Sequence, residues 1–110
     1  MDKKLLDEIN QLHAEICGGL SDPTRIAILY ALAESPKSVM ELAEIMHSPQ
    51  PTISRHLKVL RERGMVAVQR KGANSIYALG DKRIIRALDL LREVLADHLS
   101  RRSALAEAIA

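Results

Sequence analysis

The sequence holds no tryptophan and no phenylalanine, and two tyrosines are its only aromatic side chains. Its core must therefore be aliphatic, made of Leu, Ile, Val, Ala and Met, and such a core favours helices. Cysteine occurs once. A lone Cys excludes an intrachain disulfide framework and fits a reducing compartment. Long apolar runs are missing too: the longest uncharged one, Ile26 to Ala33, is far too short to cross a bilayer. The opening Met-Asp-Lys-Lys leads into a periodic polar-apolar segment and not into the apolar stretch of a secretory signal. The expectation is a cytoplasmic protein with no membrane partner. There is no Gly-rich phosphate loop and no His-Glu-x-x-His pattern, and Cys17 has no base near it but His13. An enzyme is not expected.

What is present fits one small domain spanning residues 1–110, with 47% apolar and 27% charged residues. The net charge is only +2, but it is unevenly spread. Between Gln50 and Asn74 stand Arg55, Lys58, Arg61, Arg63, Arg70 and Lys71 against Glu62 alone, so this stretch carries +5 and the remainder −3. A concentrated basic segment suits either a solvated surface or a face for a polyanion, and geometry has to decide between them.

The apolar pattern divides the chain into five helices and a hairpin. Leu5, Ile9, Leu12 and Ile16 recur at helical spacing, and Gly18-Gly19 predicts the end of that first helix, over about 3–18. Asp22-Pro23 restarts a helix as N-cap and first residue, with Ile26, Leu29, Tyr30 and Ala33 as its inward stripe. Ser38 and Glu41 form a capping box for a short third helix carrying Leu42, Ile45 and Met46. His47 to Gln50 is a turn, and a fourth helix over 51–63 follows. Met65 to Arg70 and Ser75 to Leu79 favour strands around Lys71-Gly72-Ala73-Asn74, which predicts a two-stranded wing. A last helix over about 81–108 carries Ile84, Leu88, Leu91, Leu95, His98, Leu105 and Ile109 at near-heptad spacing. The predicted fold is mainly α with a β-hairpin, a winged helix-turn-helix.

The fourth helix has two characters. With Ile53 set at zero, Leu57 falls at about 40° and Leu60 at about 340°, while Arg55 falls at about 200° and Lys58 at about 140°. The apolar residues face the core and the basic ones face out. Gln50, Thr52 and Arg55 occupy the first turn and a half, where an inserted helix meets base edges. Lys58 and Arg61 suit phosphate contacts, which position without specifying. His56, at about 300°, lies beside the core stripe, where a packed or hydrogen-bonded imidazole is the plainer reading. Arg70 and Lys71 at the hairpin tip can lie along a backbone or minor groove. The outer face offers Thr52, Arg55, Lys58 and Glu62 with only Val59 apolar nearby. A helix that docks a protein would show apolar anchors there, so a protein-interaction module is the weaker alternative.

From Ser21 to Leu79 the sequence resembles the ArsR/SmtB family of bacterial winged helix-turn-helix repressors. The resemblance rests on Ser-Asp-Pro-Thr-Arg (21–25), Ser-Val-Met-Glu-Leu-Ala (38–43), Gln-Pro-Thr-Ile-Ser-Arg-His-Leu-Lys-Val-Leu (50–60), Arg-Glu-Arg-Gly-Met-Val (61–66), Arg-Lys-Gly (70–72) and Ile-Tyr-Ala-Leu (76–79). It implies a homodimer held by the first and last helices, binding double-stranded operator DNA over a promoter, usually as a repressor released by an effector; two-fold symmetry then predicts an imperfect inverted repeat. It implies DNA contacts from Gln50, Thr52, Ser54, Arg55 and His56, with Arg70 and Lys71 in the wing.

The sequence departs from that pattern in places. Pro49 stands where such repressors often have a capping Ser, and Ala73 where the wing often has an Arg. The paired Cys that soft-metal sensors carry near 41–45 are absent, and soft metals require thiolates. The last-helix metal site is broken as well: Asp81 is followed by Lys82 and Arg83, Val94 replaces a His, and Asp97 alone remains. Paired-Cys sulfur sensing would need a second Cys. A remnant is His13 and Cys17, four apart on one helix face, with His98 on the last helix. Brought together at a dimer interface, they could ligate zinc or a similar transition metal, or sense thiol chemistry. The competing expectations are a repressor without an effector and a Cys17 that merely packs.

Overall fold

The computed structural model describes residues 1–110. Helix α1 (Lys3–Gln11) continues into a π-helical turn (Leu12–Ile16) and a 3-10 turn (Cys17–Leu20). Helix α2 (Pro23–Glu34), strand β1 (Lys37–Ser38), helix α3 (Val39–Met46) and helix α4 (Gln50–Glu62) follow. Strands β2 (Val66–Lys71) and β3 (Asn74–Leu79) form the wing, and helix α5 (Arg83–Ile109) completes the chain. This is the predicted winged helix-turn-helix with five helices, with one correction to the wing. The sheet has three strands in the order β1-β3-β2, all antiparallel, because Lys37 and Ser38 pair with Tyr77 and Ile76.

Local chemistry explains most boundaries. Asp22 accepts from the Thr24 N–H at 2.8 Å and Pro23 supplies the preset φ of the first helical residue. The capping box at α3 is complete: Glu41 N–H donates to Ser38 Oγ at 3.2 Å, and Ser38 N–H donates to Glu41 Oε1 at 3.0 Å. At the other end of α3, His47 adopts the left-handed conformation, φ 52°, where Gly or Asn is usual. That residue bends the chain toward α4. The C-terminus of α2 is closed by a side chain from beyond it. Lys37 is buried, and its ammonium donates to Ala31 O at 3.1 Å, Ser35 O at 3.3 Å and Ser35 Oγ at 2.8 Å.

The core lies between α2, α3, α4, the sheet and the start of α5. Ile28, Leu29, Leu42, Ile53, Leu57, Leu60 and Met65 are its fully buried large side chains. Two expected stripes are corrected. Helix α2 buries Ile28, Leu29, Ala31 and Leu32, whereas Ala33 is exposed and Ile26 and Tyr30 are half-buried. It packs against several elements, so one narrow stripe does not describe it. In α3, Leu42 and Ala43 are buried and Ile45 is exposed. Tyr30 joins α2 to α5: its hydroxyl donates to Asp89 Oδ1 at 2.6 Å, and Arg92 sits 5.1 Å from the ring centroid. Burial, followed by the hydrogen bond to Asp89, raises the Tyr30 phenol above its ordinary value.

The first helix also departs from expectation. Its α-geometry stops at Gln11, well before Gly18. The next turns are wound as π and 3-10 helix, and distant arginines donate to their carbonyls. Arg63 donates through Nη1 to Ala14 O and to Glu15 O, the latter at 2.9 Å. Arg25 donates to Gly19 O at 2.8 Å and to Gly18 O at 3.3 Å.

Candidate nucleic-acid interface

Helix α4 begins at Gln50, behind Pro49, which is extended and offers no side-chain cap. Ile53, Leu57 and Leu60 are fully buried and anchor the helix. Arg55 and Lys58 are exposed on the opposite side, Gln50, Ser54 and Arg61 are exposed along the flank, and Thr52 is half-buried at the edge. Arg55 Nη2 donates to Thr52 Oγ1 at 3.2 Å. The turn that aims this helix is built by His47 and by Ser48 N–H donating to Ala43 O at 3.0 Å.

The wing brings further cations to the surface. Residues 66–71 pair with 74–79 in antiparallel register, so that Lys71 lies opposite Asn74 and Arg70 opposite Ser75. The strands run closer to the tip than the sequence pattern suggests, and only Gly72 and Ala73 remain between them. Gly72 has φ 63°, which a side chain tolerates poorly, and this conformation allows the tight reversal. Arg70 and Lys71 are exposed at its base.

Not every cation of the basic segment faces out. Arg63 turns back to the carbonyls of Ala14 and Glu15. His56 is half-buried and its Nδ1 lies 3.3 Å from Arg25 Nη1. In the sequence Arg63 reads only as surface charge and Arg25 only as part of a motif. Both donate to backbone carbonyls, which carry no sequence signal, and Arg25 also meets His56 across 31 positions.

Metal ligation finds no cluster within one protomer. No three His, Cys, Asp or Glu side chains come together to hold an ion. His13, Cys17 and His98 are each exposed and do not form such a group.

A helix-turn-helix with a basic outer face and a basic wing has counterparts of known sequence and structure. Residues 22–68 match the family described as bacterial regulatory protein, arsR family. The crystal structure of Rv0081 from Mycobacterium tuberculosis superposes with a TM-score of 0.77 at 38% identity, covering 86% of this chain and 95% of that one. The chain belongs to the ArsR family of bacterial regulatory proteins. The transcriptional repressor SmtB of M. tuberculosis is 42% identical over 74 residues, which is 67% of this chain and 55% of the repressor. The chain thus matches little more than half the length of that relative. The homodimeric winged helix-turn-helix DNA-binding domain Mb0332 from Mycobacterium bovis shares the fold, with a TM-score of 0.77 at 24% identity over 92% of this chain and 93% of that one.

Proposed function

We propose that this chain is a sequence-specific DNA-binding transcriptional repressor that acts as a homodimer, and not an enzyme. The observation that carries this reading is α4 itself, apolar and fully buried on one side and basic and exposed on the other. A helix of this kind fits the major groove. Gln50, Thr52, Ser54 and Arg55 read base edges from its first turns. Lys58 and Arg61, with Arg70 and Lys71 of the wing, neutralise phosphates. His56 serves the helix from its inner edge.

The dimer follows from unsatisfied apolar surface. Helix α1 buries no residue within the protomer and α5 buries only Leu88. Leu5, Ile9, Leu12, Leu91 and Leu95 are all 41–61% exposed. Apolar surface repeated on two helices marks an association site. Two-fold symmetry would set the two α4 helices roughly 34–36 Å apart, on an imperfect inverted repeat of double-stranded DNA.

Sensing by a transition metal is not favoured. The thiolate pair and the last-helix ligand set of metal-responsive relatives have no counterpart in this sequence, and His13, Cys17 and His98 form no cluster. Docking of a protein by α4 is likewise disfavoured by its polar outer face.

The deciding experiment is fluorescence anisotropy with duplex DNA from upstream of the protein's own gene, at two salt concentrations, against a scrambled duplex. Tight, salt-dependent and sequence-preferring binding is expected. Binding that never exceeds that of the scrambled duplex, with genomic fragments selected by the protein giving the same result, would refute the DNA reading.

A further inference from the structure

Arg25 is the hub of the joint between the first helix and the reading helix. Its Nε donates to Gly19 O and its Nη2 to Gly18 O, while Nη1 lies 3.3 Å from His56 Nδ1. Gly18 O also accepts from the Ser21 hydroxyl at 2.8 Å, which fixes the turn that Arg25 grips. A guanidinium only donates. The third contact is therefore a hydrogen bond only when His56 Nδ1 carries a free lone pair, in the neutral Nε2–H tautomer. Arg63 supplies a second fastening at the end of α4, on Ala14 O and Glu15 O. His56 and Arg63 are the side chains by which α4 and its C-cap hydrogen-bond to other elements.

We propose that Arg25 is a positioning residue for DNA recognition: it fixes the inner edge of α4 through His56, and the fix holds only while His56 is neutral. This rests on the DNA-reading role of α4 proposed above. From α2, Arg25 lies against the imidazole, and a charge on the ring would attract the Asp22 carboxylate. The 17–20 turn offers carbonyls. One turn away along α4 stand Thr52, Ile53, Val59 and Leu60, none of them charged. Protonation of His56 makes Nδ1 a donor, sets a like charge against Arg25 and favours Asp22 instead. The inner edge of α4 then loses its anchor. A histidine that touched phosphate would act in the opposite sense, because acid would strengthen its contact.

The test compares the wild type with Arg25→Lys, Arg25→Ala and His56→Gln, from about pH 8 to about pH 5.5. Nitrogen-15 spectra of the DNA-free protein follow the His56 ring and the amides of residues 50–62. An unprotonated Nδ1 at the upper pH is expected, with α4 amides shifting whenever the His56 ring gains a proton in the wild type but not in Arg25→Lys or His56→Gln. In the DNA arm, wild-type affinity for its preferred duplex should fall roughly tenfold on acidification, the size of one lost charge-assisted hydrogen bond. His56→Gln should be flat. Arg25→Ala should be weak throughout yet keep the wild-type salt slope, since it loses no phosphate contact. The proposal is overturned by tighter wild-type binding in acid, by a salt slope shallower by about 0.9 in Arg25→Ala, or by α4 amides that ignore His56. A wild type with no duplex preference would strike the DNA role of α4 instead, and the amide arm would still decide the tie. Should Arg25→Ala fail to fold, Arg25→Lys and His56→Gln carry both arms.

Discussion

Arg55 donates from Nη2 to the Thr52 hydroxyl at 3.2 Å, across one turn of α4. The bond holds an exposed guanidinium over the first turn of the helix, so less rotamer freedom is left to lose on binding. Arg55→Ala should therefore cost specific affinity more than non-specific affinity, by about 1–3 kcal/mol for the base it reads. Lys58→Ala should weaken all duplexes alike and flatten the salt slope by about 0.9. Thr52→Val should fall between wild type and Arg55→Ala. Anisotropy titrations on preferred and scrambled duplexes at several salt concentrations measure all three. Indistinguishable behaviour of Arg55→Ala and Lys58→Ala would refute the division between base and phosphate contacts.

The wing offers a gain as well as a loss. Arg70 and Lys71 are exposed beside a turn of Gly72 and Ala73. Removing both cations should lower affinity on every duplex and reduce the salt slope by about 1.8, close to 0.9 for each phosphate released. Ala73→Arg adds a donor at the tip and should steepen the slope by about 0.9. An Ala73→Arg slope equal to wild type would mean that the tip does not reach the backbone.

Lys37 shows how a charged side chain can serve the core. It is 8% exposed and gives its ammonium to Ala31 O, Ser35 O and Ser35 Oγ. Lys37→Met keeps the apolar stem but leaves the last carbonyls of α2 without that donor. The expected cost is about 2 kcal/mol, seen as a lower urea midpoint with an unchanged m-value. A variant as stable as wild type would show that water replaces the ammonium.

Three carboxylates that accept backbone N–H groups predict an acid limb of stability. Asp81 is held at about 2 by side-chain and then backbone hydrogen bonds from Arg83. Glu41 is lowered chiefly by the Ser38 N–H, and Asp22 chiefly by the Thr24 N–H. Each binds its proton more weakly when folded than when unfolded. The stabilisation is therefore complete above the unfolded values, near 3.8 for Asp and 4.5 for Glu, and is lost as pH falls through the folded ones. Thermal midpoints should fall below about pH 4.5 and continue falling toward about pH 2. Asp81→Asn with Glu41→Gln should start lower at neutral pH and fall less steeply. An acid limb unaltered by the pair would remove these caps as its cause.

The elements legible in the sequence are those fixed by neighbours in sequence. Asp22-Pro23, the Ser38–Glu41 box and the Ile53, Leu57, Leu60 stripe each depend on residues within about two turns, and the structure places them as read. Strand β1 was not legible, because two residues after Pro36 show no period and their partners, Tyr77 and Ile76, lie far along the chain. The early end of α1 was hidden for the same reason. Arg25 and Arg63 reach the carbonyls of the turns after it from later elements, whereas Gly18-Gly19 is a local signal. In the interface, helical phase alone brought the outward cations together. It could not show that Arg63 turns inward.

The dimer reading is open to the sharpest mutational test, because its residues do nothing for the isolated protomer. Leu91 and Leu95 are 61% and 53% exposed. A glutamate at either position should change protomer stability by no more than about 0.5 kcal/mol, as for other exposed sites. Across a two-fold interface the same change sets a charge against the partner's apolar surface twice, and a buried unpaired charge costs about 3 kcal/mol or more. Leu91→Glu with Leu95→Glu should sediment as a monomer at concentrations where wild type is a dimer. Specific affinity should drop much further than non-specific affinity, since one α4 reads only half of an inverted repeat while phosphate contacts per protomer persist. Helical content by circular dichroism should stay close to that of wild type. A variant that remains dimeric would move the interface off α5, and a monomer that keeps full specific affinity would show that a single protomer suffices to read its site.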